Sequence, residues 1–432
     1  MPAIDHNRLR RMRTTGRIAA GRATLWALAQ SGDLLSRFRQ PGPQQDVYAL
    51  YERMRAHGPV YRSRTGVHAV TSHALCSQVL RDPHLRVRNL RNHRLGYDEL
   101  TSAASGSPPE SFLVQDPPDH TRLRRIAAPA FRPKLIRGYR SQIEAIAHDL
   151  LDRAARRGSF DLIADFAAPL PITVITTLLG IPDADVDHFA HIGAVVGRSL
   201  DGVFSMRQAA DLRAANDDLT ALFTKLEHQR HHHSADDVLS ILTSAKADDK
   251  LSLDELVATC RLLLIAGFET TVNLIGNATM ALAQHPDQWN LLRDDPARAP
   301  AAVEETLRWD PSVQATGRVA HEPVELAGRV VRPGTQVMLM LAAANRDPST
   351  YPNPAQFDIT RDGGPEHLAF SSGIHYCLGA PLARLEGEVA LQALAQRFPQ
   401  LQVTGPLQRR PSSTIRGYTS IPITAPTLAA TP

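Results

Sequence analysis

The sequence predicts a mainly α-helical protein, and three observations carry that reading. Apolar residues recur at helical spacing in most of the long segments between loops. One segment, Leu253 to Gln284, is long enough for a helix of roughly 48 Å at the usual rise per residue. Strand-like alternation is confined to short stretches, 60–72 and 323–342. The 432 residues exceed the usual size of one domain, yet no low-complexity linker separates two cores. The expectation is a basic N-terminal extension, residues 1–45, followed by a single domain, residues 46–432.

Composition narrows the function. A hydrophobic content of 43% is that of a soluble globular protein. The 48 basic and 44 acidic residues leave a net charge of +4, too little for wholesale nucleic-acid binding. Three widely separated cysteines, Cys76, Cys260 and Cys377, argue against a disulfide framework and for a reducing, cytoplasmic compartment. No run of about 18 apolar residues appears, so no transmembrane anchor is expected. The extension carries arginines at 8, 10, 11, 13, 17 and 22 and an apolar patch at 25–28. It reads as an interfacial helix or as a solvated extension folding partly onto the body.

Residues 46–57 have helical periodicity that Gly58-Pro59 stops, and 60–72 alternate around a turn at Thr65-Gly66. Residues 84–115 have little periodicity and read as a long loop. Pro117-Pro118 open the next helix, on which His120 and Arg124 are four apart and share a face. That face is either a surface ion-pair face or part of a site. Helical spacing returns at 135–151 and 163–180, then in two helices around Gly202 over 186–230. His231-His232-His233 lie in a polar stretch with no partner ligands at useful spacing, so a solvated loop is expected and not a metal site.

The long helix starts at a capping-box pair, Ser252 and Glu255, and Pro286 follows its end. Its centre, Ala266-Gly267-Phe268-Glu269-Thr270-Thr271, is poor helix material. Either the helix is distorted there to serve a site, or a glycine is simply tolerated. Glu305 and Arg308, three apart, share a face of the next helix. Short strands follow around Ala327-Gly328 and Pro333-Gly334, and 414–422 read as a final hairpin. Between them, residues 367–384 place Cys377 between Gly373 and Gly379, just ahead of an apolar, helix-like segment. Unpaired N–H groups at a helix start favour a thiolate and lower its pKa. Gly379 would let a flat cofactor lie close. The cysteine is therefore a structural thiol or a soft metal ligand.

Phe370, Gly373, His375, Cys377 and Gly379 together resemble the haem-binding loop of the cytochrome P450 family, F-x-x-G-x-H-x-C-x-G. Ser371 stands where many relatives carry glycine, and Pro381 where many carry alanine. Ala266-Gly267-x-Glu269-Thr270 resembles the family's oxygen-binding groove, and His120-x-x-x-Arg124 and Arg318 its propionate contacts. Glu305, Arg308 and Arg361 match its buried Glu-Arg-Arg network. The resemblance spans 46 to about 422, with the motifs in order, and identifies the chain as similar to soluble bacterial, actinobacterial-type members.

It implies a dozen or so helices with small sheets beside them, and haem b between the long helix and the Cys377 loop. Cys377 would be the axial ligand, Thr270 the partner of bound oxygen, Glu269 the proton relay and Asn273 the residue orienting its carboxylate. The implied reaction is monooxygenation: one atom of O2 enters a C–H bond of a lipophilic polyketide, steroid, terpenoid or fatty acyl chain. Residues 84–115, 190–206, 313–316 and 418–419 would shape the pocket. Electrons would come from a separate ferredoxin and ferredoxin reductase, docking at Arg122 and Arg125, with the enzyme a monomer. A peroxide-driven peroxygenase or a haem sensor or carrier would leave Glu269-Thr270 without a purpose.

Overall fold

The computed structural model describes residues 6–40, 46–93, 110–248 and 250–424. Two helices lead, α1 (His6–Gln30) and α2 (Leu34–Phe38), followed by α3 (Val47–Ala56). The hairpin β1 (Val60–Arg62) and β2 (His68–Val70) turns at Gly66, whose φ is +84°. Next come α4 (His73–Arg81), β3 (Leu85–Arg86), α5 (Asp119–Ala127), α6 (Pro133–Gly138) and α7 (Arg140–Ala155). After β4 (Ser159–Asp161) and a π turn at Ile163–Ala167 lie α8 (Pro169–Leu179), α9 (Val186–Ser199), α10 (Met206–His232) and α11 (Val238–Ala247). The long α12 (Leu253–Gln284) precedes α13 (Pro286–Asp294) and α14 (Ala299–Trp309). Four strands follow, β5 (Thr316–Ala320), β6 (Val324–Leu326), β7 (Arg329–Val331) and β8 (Gln336–Leu339). The chain closes with α15 (Leu341–Ala344), α16 (Ala380–Arg397), β9 (Gln402–Val403), β10 (Gln408–Arg409), β11 (Tyr418–Ser420) and β12 (Pro422–Thr424).

The fold is mainly α. Its largest sheet has the order β1-β2-β8-β5-β3, with β2 and β8 parallel. On one side of this sheet Leu34, Leu35 and Phe38 of α2 are buried with Tyr51, Met54, Tyr61 and Met340. Asp33 fastens them, accepting from Ser36 N, Arg64 N and the Ser63 and Tyr61 hydroxyls. The packed body therefore begins near residue 33, inside the segment that the sequence sets apart as an extension.

The main core surrounds α12, which packs against α8, α9, α14 and α16. By length and composition α12 could cross a membrane, but two-thirds of its most apolar window is buried inside the protein. It is a core helix.

Five local expectations change. The 135–151 helix breaks at Tyr139, and a π turn precedes α8 within 163–180. His231 and His232 close α10 and do not form a loop, because no proline or glycine interrupts the preceding residues and the chain turns extended only at His233. The tail does not pair with itself: β11 pairs with β10, and β12 with β4 and β9. Within 84–115 the chain forms β3 and a 3-10 turn at Phe112–Val114, while 94–109 lie outside the described residues.

Candidate active site

One wall of the site is α12. Ser252 and Glu255 complete a reciprocal capping box at its start, and the helix runs unbroken through residues 266–271. The Thr270 and Thr271 hydroxyls donate to the carbonyls of Ala266 and Gly267, at 3.0 and 3.1 Å. Such back-bonding satisfies both hydroxyls locally, and the helix stays continuous through them. In this buried helix Ala266 is exposed and Gly267 and Thr270 are half-buried, whereas Phe268, Glu269 and Thr271 are buried. Ala266 and Thr270 thus mark an accessible face in the middle of the core.

The facing wall is the loop before α16. Cys377 N donates to Phe370 O at 2.9 Å and Tyr376 N to Gly373 O at 3.1 Å, which folds the loop back on itself. Gly373 has φ +66°, and a Cβ there would lie 2.5 Å from the Leu80 carbonyl oxygen, so only glycine fits. Ser371 also has a left-handed φ, 65°, a conformation that favours glycine. Behind the loop, Arg384 lies over the Phe370 ring at 4.7 Å and bonds Glu304 at 2.7 Å. Burial works to raise the Glu304 pKa, but His367 and Arg384 outweigh it and bring it to about 2.

Cys377 itself behaves differently from the sequence expectation. Burial pushes its thiol up, and the Gly379 and Ala380 N–H groups and the Arg124 guanidinium only partly offset this. A helix start alone does not hold a thiolate in so desolvated a place. A coordinated metal cation would.

Between the walls lies a basic cluster. The His120 and His375 rings are 4.3 Å apart. Neither nitrogen of His120 nor Nε2 of His375 has a hydrogen-bond partner among the described residues, although all three are buried. Arg318 is 3% exposed and, among the described residues, donates only to Gly317 O and Thr316 Oγ1, and Arg124 donates to the Tyr376 carbonyl. Burial brings Arg318 down to about 10. Burial and the neighbouring cations bring His375 down to about 3, so its ring is neutral. Asp116, the nearby carboxylate, is occupied by the Val87 and Arg88 N–H groups. Among the described residues none of these four donors has a carboxylate as a hydrogen-bond partner, and together they form a seat for anionic groups.

Glu269 is buried, with Oε1 2.6 Å from Arg410 Nη1. Burial raises its pKa, and Arg410 and Arg198 pull it back. Its carboxylate lies against α9, where a Cβ on Gly197 would be 2.8 Å from Oε1. Asn273 does not orient that carboxylate: its Nδ2 donates to the Glu269 backbone carbonyl at 2.6 Å, because a residue four along a helix sits over the preceding turn's carbonyl. The sequence reading missed Arg410 and also Ser312, whose hydroxyl donates to Thr270 O at 2.8 Å. Neither has a spacing relation to α12 that would reveal it.

Glu305 bonds Arg308 Nε and Nη2 at 2.7 Å each and lies 3.3 Å from Arg361 Nε. Both arginines also donate to the Gln356 carbonyl, tying α14 to the segment before the cysteine loop. Arg122, by contrast, is engaged with Glu255 and Asp119 and is not a free surface cation. Arg125 is exposed.

A family model described as Cytochrome P450 matches residues 299–415. The chain is 38% identical to the cytochrome P450 monooxygenase PikC of Streptomyces venezuelae, over 88% of this chain and 91% of the relative. It belongs to the cytochrome P450 family. The structure of P450BioI in complex with a hexadec-9Z-enoic acid-ligated acyl carrier protein superposes with a TM-score of 0.81 at 35% identity, covering 88% of this chain and 99% of that one. A myxobacterial P450 in complex with myristic acid gives 0.81 at 34% identity, with 90% and 99% covered. P450s hold haem b through a cysteine thiolate, and this P450 is accordingly an oxidoreductase of the monooxygenase family.

The residues present fit that group. The unpartnered His120 and His375 nitrogens and the uncompensated Arg318 suit two propionates. A Cβ at Gly379 would meet nothing within 4 Å, which leaves room for a flat macrocycle beside Cys377.

Proposed function

We propose that this P450 inserts one oxygen atom of O2 into a C–H bond of a lipophilic chain, fatty acyl or polyketide. In this proposal a separate ferredoxin and ferredoxin reductase supply the electrons. Cys377 would hold the haem iron through its sulfur, and His120, Arg124, Arg318 and His375 would hold the propionates. Haem b, when bound, supplies the activation of O2 by two electrons and two protons. The chain supplies position and protons.

The observation that carries this reading is the buried Glu269 beside the accessible Thr270. A carboxyl whose pKa burial raises and Arg410 pulls back is a candidate to hold and pass on a proton. The Thr270 hydroxyl, anchored on Ala266 O, keeps its lone pairs free to accept that proton's hydrogen bond. A peroxygenase or a haem carrier needs neither. The relatives support an acyl chain, since P450BioI and the myxobacterial enzyme were captured with fatty acyl ligands. For electron delivery, exposed Arg125, Arg132 and Lys134 after the start of α5 form the candidate basic face for an acidic ferredoxin.

Turnover of a fatty acid with a ferredoxin system, with peroxide alone and with no reductant separates the readings. Product only with the ferredoxin system is expected, and product with peroxide alone at an equal rate overturns the proposal. Glu269→Gln is expected to lower product formation by about 100-fold. Thr270→Ala is expected to keep consuming reductant while more of it ends as peroxide. An unchanged product yield per electron in Thr270→Ala would remove the hydroxyl from the relay.

A further inference from the structure

A cleft of about 850 Å³ lies between the C-terminal half of α1, the α9–α10 connection and the start of α10. Arg22, Arg39, Arg198 and Arg207 line it against Asp201 and Asp211, a surplus of two positive charges. Asp201 Oδ1 is occupied, accepting from Ser413 N, Ser413 Oγ and Thr414 N at 3.1, 2.8 and 2.8 Å. The guanidinium groups are not. Among the described residues Arg22 donates only to Phe204 O, at 3.5 Å, and the side chains of Arg39, Arg198 and Arg207 make no hydrogen bond or ion pair. Arg39 is half-buried, and burial lowers its pKa, with Asp201 its opposing charge. Beside it Gln40 has a buried Nε2 without a partner among the described residues. A buried donor without an acceptor is a place where an anionic oxygen is stabilised. Trp26, 59% exposed, and Phe204 line the same cleft.

A guanidinium fork matches phosphate oxygens two at a time, and several forks together favour a multiply charged group over a lone carboxylate. An exposed indole beside them offers its face to a planar ring. The set suits a phosphate ester that carries an aromatic base. Arg198 gives the cleft a second property. It is one of two cations that act on Glu269, the other being Arg410, which follows β10. Gly193 and Gly197, where α9 meets the carboxylate, carry no charge, and neither does Asn273 on α12 itself. The cleft and the Glu269 carboxylate thus share one guanidinium across α9.

We propose that this cleft binds a nucleotide-type phosphate ester, whose phosphate takes the Arg198 charge away from Glu269. No passage through α9 is needed, because the ligand stays outside and one side chain carries its effect. The binding rests on the cleft alone; only the effect on Glu269 rests on the relay reading above. Its sign follows from the charges. Burial raises the Glu269 pKa and Arg198 pulls it back, so a phosphate on Arg198 lets it rise further.

Calorimetric titration of the full-length holoenzyme with ADP, pyrophosphate and adenosine at fixed ionic strength tests the site. ADP is expected to bind at least about tenfold more tightly than adenosine, as for one charge-assisted hydrogen bond. It is expected to bind about tenfold more tightly than pyrophosphate, as for one stacked base. Trp26→Ala should remove the second advantage and Arg39→Gln/Arg207→Gln the first. Arg207→Gln alone, at an exposed position, should lose part of the first and guards against misfolding of the double variant. Absence of saturable ADP binding overturns the proposal, as does equal affinity for adenosine or an ADP affinity that survives in all three variants. For the coupling, saturating ADP is expected to move the limb of the pH profile that Glu269 sets to higher pH. In Arg198→Gln that limb should already lie higher, and ADP should no longer move it. A limb that bound ADP leaves in place overturns the coupling. Binding is read without turnover, so selective ADP binding by an enzyme that forms no product would sink the monooxygenase reading and leave the site standing.

Discussion

Cys377→His retains a haem-binding pocket but loses the red-shifted Soret band of the reduced carbon monoxide complex, from which the family takes its name. Monooxygenation falls to background with it. The loop geometry does not depend on sulfur, because Cys377 contributes its backbone N–H to Phe370 and Gly373 sets the turn. The electron donation does depend on it. A neutral imidazole would not give bound haem the electron donation that the proposed Cys377 thiolate would supply. In the protein itself burial holds the thiol up, so ligation must supply the charge that keeps sulfur deprotonated. A thiolate-type spectrum surviving in Cys377→His would remove this residue from its assigned place.

Arg308→Leu destabilises the folded protein by about 3–5 kcal/mol, the usual consequence of leaving a buried charge without its partner. Both members of the pair are only 4% exposed in their side chains, and Glu305 accepts from both nitrogens of the guanidinium fork. Arg361 reaches the same carboxylate at longer range, 3.3 Å, and cannot satisfy it alone. Denaturant unfolding of the holoenzyme measures the loss. The double variant Glu305→Gln/Arg308→Leu should be more stable than Arg308→Leu, since the orphaned charge is gone. Additive losses in the two variants would show that Arg308 acts through packing alone.

The two predictions draw on different parts of the chain's information. The turn that carries the proposed ligand, Cys377, was legible because its determinants are local. Phe370, Gly373, His375 and Gly379 lie within ten residues, and the turn they make is set by φ at Gly373 and by two backbone hydrogen bonds. The same holds for α12, whose capping box, length and accessible Ala266–Thr270 face follow from spacing along one helix. Glu305 and Arg308 were visible as an i,i+3 pair, and only the resemblance linked them to Arg361.

Elsewhere local reading failed in recognisable ways. His231 and His232 looked like loop residues because polarity was weighed above the absence of a helix breaker. Asn273 was assigned to a carboxylate, but a side chain four residues on finds the backbone carbonyl first. The final strands seemed to pair with each other, yet β12 found β4, far earlier in the chain.

By itself the sequence determined the mainly α class, the long core helix and the turn of the cysteine loop, while the basic residues assigned to face that loop came from the family resemblance. The first three depend on periodicity, turn chemistry and short spacings, which act over a few residues. Only the tertiary structure decided that Glu269 is held by Arg410 and pressed against α9, and that His120 and His375 meet with nitrogens unpartnered. It alone brought α1 over the α9–α10 connection. Those contacts join residues whose separation along the chain carries no periodic signal. Their geometry is set by which apolar faces bury together, and the charges then take the partners that burial leaves within reach.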